Sequence, residues 1–438
     1  MFSPLYTADE MRVAEQGHDV ETMMESAGRA VANAVLRRYP DARRIVGICG
    51  KGANGGDGRI ALRVLAEAGR ETSEDLAGAD VVIDALFGTG FHGEPREDAA
   101  RRIELMNESD VPVVAVDLPS GVDASTGETA GAVVDAELTV TMHGRKVGLV
   151  VAPGRFHSGE IEVADIGLEP AETEHRLVDE EILELVPRKR PQDTKYSAGA
   201  VLVVGGSRGM SGAVCLAAEA AFRADAGYVA VATHSEAVPV VEARVLEAVK
   251  GTLDRVDEFA QRASALVLGP GLGRGDVEHA LVRRLLAEVD LPAVVDADAL
   301  YRLEPGDWPA PRVLTPHSGE LARLLDKDSA WVDAHRLEAV RAAAERYRCV
   351  VLLKGADTLV ASPGAGVLVS DSGTPALATA GSGDVLSGVV GSFLAKGVDP
   401  RLAAAAAAYV HGRAAELAPH PRGVVASDVV AALPRALG

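Results

Sequence analysis

The chain has 438 residues, 47% of them apolar, and carries 64 acidic against 44 basic side chains for a formal net charge of -20. That length and apolar content suit two domains with separate cores, and no apolar run nears the roughly 18–20 residues that span a bilayer. The acidic balance argues against the phosphate backbone of nucleic acid or an anionic membrane as partner.

In chain order, residues 9–38 read as helical, because Met11 and Ala14, then Met23, Ala27, Ala30 and Ala34, recur at three- and four-residue spacings. A strand over 43–49 leads through a glycine loop into a helix ending at Ala68. Further strands are predicted over 80–86, 111–117, 138–142 and 160–163. Strands alternating with helices predict a mostly parallel sheet covered on both faces. Residues 168–190 are charged and punctuated by proline, which places a junction between domains 1–175 and 176–438. A second alternating series has strands over 200–204, 228–232, 265–268, 293–296, 313–315, 350–354 and 358–361. The alanine run 403–408 falls in a helix, and no short internal repeat is visible.

Three loops of the first half carry chemistry. GKGANGGDG (50–58) leaves a strand and enters a helix, so backbone N–H groups and the helix dipole can meet an anion. It matches neither GxGxxG nor a Walker loop, and a tight strand-to-helix turn is the lesser alternative for it alone. VVIDALFGTG (81–90) puts Asp84 and a glycine turn at a strand's carboxyl end, and VAVDLPSGVD (114–123) does the same with Asp117 and Ser120. Ligands of open α/β sheets bind at that edge. Three oxygen-bearing loops there can hold a cation and position an acid–base carboxylate.

Together NGGDG, DALFGTG and VDLPSGVDASTGE resemble the NAD(P)H-hydrate epimerase family, as do MMESAGRAVANAV (23–35), TMHGRKVG (141–148) and APGRFHSGEIEVADIG (152–167). The resemblance covers roughly residues 5–168 and implies a Rossmann-like three-layer sandwich. It implies potassium at Asn54, Asp84 and Ser120, a donor set of hard oxygens. It implies contacts to the hydrated dinucleotide at Ala53, Asn54, Gly55, Gly56 and Asp57 and at Gly88, Thr89, Gly90, Phe91, His92, Gly93 and Glu94, with Asp117 as the acid–base residue at the ring. Two departures stand out. Ala53 replaces the first of the family's two usual asparagines. Only the ten residues RETSEDLAGA separate Gly69 from Asp80, too few and too polar for the family's extra strand–helix unit, so the sheet is expected to lack one edge strand.

The second half repeats the theme with GGSRGMSGA (205–213), GPGLG (269–273), DADAL (296–300), TPHSGE (315–320), KGADT (354–358) and GSGD (381–384). Gly381, Ser382 and Gly383 precede a helix and can cradle a phosphate; Asp384 in its first turn can take a proton from an attacking hydroxyl. A lone GSGD is more often a capped turn. In this order the motifs resemble the ADP-dependent NAD(P)H-hydrate dehydratase family of the ribokinase-like superfamily, over nearly all of 176–438. That implies a ribokinase-like α/β domain with substrate contacts at Ala213, Gly273, His317 and Asp384. Nucleotide contacts are implied at Lys354, Gly355, Ala356, Asp357, Thr358 and Gly383. Ser382 stands where the family usually has threonine and keeps the hydroxyl.

The two resemblances imply a fused repair enzyme for NADHX and NADPHX, with ADP as co-substrate, Mg²⁺ on the diphosphate and self-association into a homo-oligomer. Two alternatives share these residues: a ribokinase-like kinase for a small alcohol, and a dehydratase carrying a non-catalytic dinucleotide-binding or dimerisation module. Cys49, Cys215 and Cys349 are far apart and read as small buried hydrophobes rather than zinc or redox pairs. The opening segment lacks the pattern of a signal peptide, which predicts a cytoplasmic location. Only eight lysines accompany the acidic excess, a balance found in proteins of salt-loving organisms.

Overall fold

The computed structural model describes residues 2–438. The described chain divides into two compact units: Pro4–His175 with Asp333–Leu337, and Arg176–Val332 with Glu338–Gly438 and residues 2–3. Among the described residues no helix is long and apolar enough to cross a membrane.

After β1 (Ser3–Leu5), the first unit builds a sheet from β2 (Arg44–Cys49), β3 (Glu71–Ser73), β4 (Val81–Ala85), β5 (Val113–Val116), β6 (Leu138–Met142) and β7 (Glu160–Ala164). All pairings are parallel, in the order β3-β2-β4-β5-β6-β7. Successive side chains of a strand face opposite ways, and the core follows that rule. Ile45, Val81, Ile83, Val114 and Val116 pack with the helices Val20–Arg38 and Ala53–Glu67. Val46, Ile48, Val82 and Val113 pack with Ile103 and Met106 of the helix Glu97–Asn107 on the other face. This is the expected three-layer sandwich.

Two expectations need correction. The segment 9–38 is two helices, Ala8–Ala14 and Val20–Arg38, separated where Gly17 takes φ 84° and Asp19 caps the second helix by accepting from the Thr22 N–H. The sheet's edge position is also filled, because β3 pairs with Arg44, Ile45 and Val46 of β2. What is gone is the helix of that unit. The polar residues beyond β3 are satisfied locally: Asp80 Oδ2 accepts from the N–H groups of Arg43 and Arg44 at 2.7 and 2.9 Å, and Arg44 pairs with Glu71. Period-2 reading failed at β3 because three polar residues carry no alternation.

The second unit contains β8 (His175–Leu177), β9 (Ala200–Val204), β10 (Tyr228–Thr233), β11 (Val249–Thr252), β12 (Ala265–Leu268), β13 (Ala293–Val295), β14 (Arg312–Leu314), β15 (Val350–Leu353), β16 (Thr358–Ala361) and β17 (Leu368–Ser370). Its strands lie in the order β8-β17-β16-β15-β14-β13-β12-β9-β10-β11. It is parallel from β11 to β15 and antiparallel across β15-β16-β17. Helices Ser211–Arg223, Ser382–Ala395, Pro400–Glu416 and Ala426–Ala436 contribute to one large core, with the alanine run inside the third. Alanine lets these helices approach the sheet closely. The unpredicted strands β8, β11 and β17 are three or four residues long, too short to show a period.

The cysteines form no disulfide; Cys215 and Cys349 are buried and Cys49 is half-buried. Burial pushes their thiols up to about 11, 12 and 11 respectively, so none is a ready nucleophile.

Candidate active sites

In each unit the strand order reverses once, and glycine loops meet at that point. In the first, β2 lies between β3 and β4, so the loops after β2 and β4 diverge around a crevice. They touch at Gly50, whose N–H donates to the Ala85 carbonyl at 2.9 Å and where an added Cβ would lie 2.1 Å from the Leu86 carbonyl oxygen. Only glycine fits there. In the second unit the reversal falls between β9 and β12. Gly205 occupies the matching place, with an added Cβ 2.2 Å from the Pro270 oxygen, while Gly206 N–H donates to that oxygen at 2.8 Å.

The first crevice opens into a cavity of about 800 Å³. Of the expected contacts, Ala53, Asn54, Asp57, Gly88, Thr89, Gly90, Phe91, His92 and Asp117 line it; Gly55, Gly56, Gly93 and Glu94 do not. Gly52 caps the helix Ala53–Glu67 without a side-chain bond, which leaves first-turn N–H groups for an anion. Phe87 and Phe91 stack with centroids 4.5 Å apart and form part of the cavity wall.

Asp117 takes φ 68°, a left-handed conformation that turns the chain sharply after β5. Its Oδ1 accepts from Lys146 Nζ at 2.5 Å, and from Thr141 Oγ1 and the Met142 N–H at 3.1 Å each. Lys146 is fully buried and also donates to the Met142 carbonyl at 2.7 Å and to Thr141 Oγ1 at 3.1 Å. A buried ammonium demands such a partner set. Lys146, within TMHGRKVG, receives no role from sequence, because with Arg145 and Val147 beside it nothing local marks it as buried. Glu15 and Asp57 line the same cavity. Burial, then repulsion from Asp117 and Glu15, pushes the Asp57 carboxyl up to about 7. Burial, then Asp117, also raises Glu15.

The three expected potassium ligands gather beneath the loop 86–88. Asp84 is fully buried; its Oδ1 accepts from Ser120 Oγ at 2.6 Å and its Oδ2 from the Ser120 N–H at 2.7 Å. Asn54 Nδ2 donates to the Phe87 carbonyl at 2.7 Å, and Ser120 Oγ accepts from the Phe87 N–H at 3.0 Å. Only neutral donors touch the Asp84 carboxylate, and burial raises it to about 6 against the lowering effect of those bonds. A buried carboxylate with amide, hydroxyl and carbonyl oxygens nearby is chemically suited to a monovalent cation.

In the second unit the carboxyl ends of β13, β14 and β15 converge on the start of the helix Ser382–Ala395. Asp296, 1% exposed, accepts from Lys354 Nζ at 2.9 Å and from Ser387 Oγ at 2.6 Å. Glu320 lies 3.9 Å from the same ammonium. Burial opposes the Lys354 charge, but Asp296, Glu320 and Asp384 outweigh it and raise its pKa. Gly381 caps the helix at φ 88° with no side-chain bond, and a Cβ on Gly383 would sit 3.3 Å from Lys354 Nζ. Asp384 follows, its carboxyl pushed up to about 7 by burial and then by Asp296. Ser382 Oγ donates to the Leu377 and Thr379 carbonyls at 2.9 and 3.0 Å and so holds the entering loop.

Across the crevice Gly273 N–H donates to Asp298 Oδ2 at 2.9 Å and Arg274 Nε to Oδ1 at 2.7 Å, while Ala213 abuts Gly271. His317 caps the helix Ser318–Leu325: Nδ1 accepts from the Gly319 N–H at 3.0 Å, and Glu320 accepts from the His317 N–H at 3.0 Å. The imidazole is 58% exposed, with Nε2 3.5 Å from Glu320. The KGADT loop joins β15 to β16, with the Lys354 N–H on the Pro316 carbonyl at 3.0 Å; Gly355 and Ala356 are exposed, Asp357 is buried and Thr358 half-buried. DADAL and TPHSGE stand out in the sequence, but Asp296, Asp298 and Glu320, like Ser387, receive no role from it, because their part depends on strand order.

Two glycine-lined switch points, each with an uncapped helix N-terminus, a carboxylate–lysine pair and a second carboxyl near neutrality, define a two-unit α/β enzyme of nucleotide chemistry. Residues 201–435 match the family described as NAD(P)H-hydrate dehydratase. Residues 20–73 and 68–148 match the family described as YjeF-related protein N-terminus, and the two stretches overlap at the start of the shortened interval. The chain is 36% identical to the bifunctional NAD(P)H-hydrate repair enzyme Nnr of Moorella thermoacetica, over 99% of this chain and 96% of that one. It is 34% identical to the enzyme of the same name from Escherichia coli, over 98% and 93%. A Bacillus subtilis ADP/ATP-dependent NAD(P)H-hydrate dehydratase co-crystallised with ATP/Mg²⁺ superposes with TM-score 0.55 at 29% identity, covering 59% of this chain and 96% of that one. The chain belongs to the family of bifunctional NAD(P)H-hydrate repair enzymes.

Proposed function

We propose that this chain restores hydrated NADH and NADPH, the 176–438 part dehydrating the S-epimer with ADP and the 1–175 part interconverting the R- and S-epimers. In dehydration the ring hydroxyl attacks the terminal phosphorus of ADP. An O–P bond forms, the bond to AMP breaks, and Asp384 takes the hydroxyl proton. Phosphate then departs with the C–O electrons while the neighbouring ring carbon loses a proton, which restores the double bond. The N–H groups of Gly381 and Gly383 would meet the growing phosphoryl charge, and Lys354, held by Asp296, adds a positive charge beside it. Ala213, Gly273, His317 and Asp384 are the substrate side of this crevice, and Lys354–Thr358 with Gly383 the nucleotide side. Asp296, Asp298 and Glu320 already accept bonds from Lys354, Ser387, Gly273, Arg274 and His317. Mg²⁺ would therefore ride on the diphosphate and its waters rather than in a protein cage.

In the first unit Asp117 acts as the acid–base residue at the ring, oriented by Lys146. Asn54, Asp84 and Ser120 would hold potassium, whose charge would compensate the buried Asp84. The observation that carries the reading is the Asp384–Gly383–Lys354 cluster at a helix N-terminus, in a chain matched nearly end to end by repair enzymes. Incubation with NADHX and ADP, followed by reduced-nicotinamide absorbance, tests it. Recovery of NADH with release of AMP is expected, faster with ADP than with matched ATP; no recovery overturns the reading, and equal rates overturn the ADP preference.

A further inference from the structure

A carbon bearing both a hydroxyl and the ring nitrogen can invert by losing the hydroxyl as water from one face and adding water on the other, a route that takes proton transfer on both faces. One carboxylate serves one face only. The cavity contains Asp117, bonded to Lys146, and it also contains Asp57, whose Oδ1 is buried with no hydrogen-bond partner. Asp57 sits on the helix Ala53–Glu67, while Asp117 follows β5. Among the described residues nothing uses that Asp57 oxygen: it caps no helix and pairs with no cation. An unpartnered buried carboxyl oxygen is costly to keep, and one on the wall of a substrate-sized cavity has a natural partner in the ligand.

Resting on the epimerase reading above, we propose that Asp57 is the second proton-transfer residue of epimerisation, acting as acid at the departing hydroxyl while Asp117 acts as base toward the incoming water. The step balances without an oxidant or reductant. The Asp57 carboxyl gives its proton to the hydroxyl, the C–O bond breaks and water leaves, and the ring nitrogen's lone pair forms a C=N double bond. A second water attacks the carbon from the opposite face, returning that electron pair to nitrogen, and its proton goes to Asp117. Solvent exchange then resets both carboxyls, and reversal of the roles runs the reaction backward.

The surroundings divide the roles. The Lys146 ammonium compensates charge on Asp117, whereas Asp57 faces burial and two other acids, which is how paired carboxyls are driven to opposite tasks. With its carboxyl pushed up to about 7, Asp57 still holds a proton near neutrality. The other titratable groups lining the cavity are Glu15, Lys51 and His92, and Glu15 adds to the repulsion that keeps the proton on Asp57.

Asp57→Asn in the full chain keeps shape and volume and removes the proton. Conversion of R-NADHX to S-NADHX, measured above the spontaneous rate, should fall roughly 10²-fold or more in kcat. ADP-dependent dehydration of S-NADHX, assigned to the other unit, should stay within about threefold, and Asp57→Glu should recover part of the rate. The unsubstituted enzyme should lose epimerisation as pH rises through about 7, and that alkaline limb should vanish in Asp57→Asn. An Asp57→Asn enzyme within fivefold of the parent in kcat, with the limb intact, overturns the inference and leaves the epimerase reading standing. A rise in KM alone overturns it in favour of a binding role. No conversion by the unsubstituted protein overturns both.

Discussion

The two crevices are built alike and divide the work differently. Each lies where strand order reverses, and each needs a glycine where one loop crosses another, Gly50 against Leu86 and Gly205 against Pro270. Each pairs a buried carboxylate with a lysine, Asp117 with Lys146 and Asp296 with Lys354, and sets beside that pair a carboxyl raised to about 7, Asp57 or Asp384. In the proposed chemistry the second unit's ion pair orients a cation for phosphate and its raised carboxyl is the base, whereas in the first unit the paired carboxylate is the base and the raised carboxyl the acid. The same local electrostatics thus supports group transfer or proton exchange, depending on which member of the trio faces the ligand's oxygen.

The sharpest way to break this comparison is to remove one base at a time. Asp384→Asn should lower kcat for dehydration by roughly 10²–10⁴-fold and leave epimerisation unchanged. Asp117→Asn should do the reverse. Coupled epimer-conversion and NADH-recovery assays on both variants check this, and a parallel loss of both activities in either variant contradicts separate sites.

Lys146→Met tests whether the first ion pair is structural as well as chemical. Removing the ammonium strands the Asp117 carboxylate in a buried site, a change that typically costs about 3–5 kcal/mol. Urea unfolding should show the loss, and Lys146→Met with Asp117→Asn should recover much of it. An unchanged transition in the single variant would mean the pair contributes little.

The pH profiles should have opposite limbs. Asp384 must be ionised to act, so dehydration falls as pH drops below about 7, the value to which burial lifts it. Asp57 must be protonated, so epimerisation falls as pH rises above about 7. Profiles of the two rates on one preparation check the contrast, and parallel limbs would contradict the assigned roles.

The smallest effect expected is on stability. Asp57 holds its proton more tightly folded than unfolded, so raising pH from about 4 toward 7 costs the fold free energy. Asp57→Asn removes that cost and should raise Tm at pH 8 while changing it little at pH 4. A lower Tm would show that the carboxyl makes a stabilising contact.

The fold class was legible because buried parallel strands read as short apolar runs ending in glycine, as at β2, β4, β9 and β12. Asp117 directly follows the apolar run of β5 and Asp384 opens a helix within a glycine motif, so those two could be named from sequence. Lys146, Asp296 and Ser387 could not, because a buried lysine or a serine mid-helix has no local signature and finds its partner only through sheet order. His317 shows the opposite limit: its motif stood out, and the structure gives one ring nitrogen a helix-capping bond. The short edge was half legible. The missing helix was visible as missing length, but β3 survives as three polar residues that no periodicity marks. Because β3 pairs only with the amino half of β2, the truncation lies at the far end from the Gly50 loop, so epimerase activity should persist, reduced by lost support.

The most direct test is to give the full chain ADP and NADHX enriched in the R-epimer, and to subtract the recovery seen with Asp117→Asn. The account predicts that NADH recovery runs past the initial S fraction toward completion, faster than spontaneous epimerisation allows. Recovery that stops at the S fraction, or continues only at the spontaneous rate, would contradict a working epimerase in the first unit.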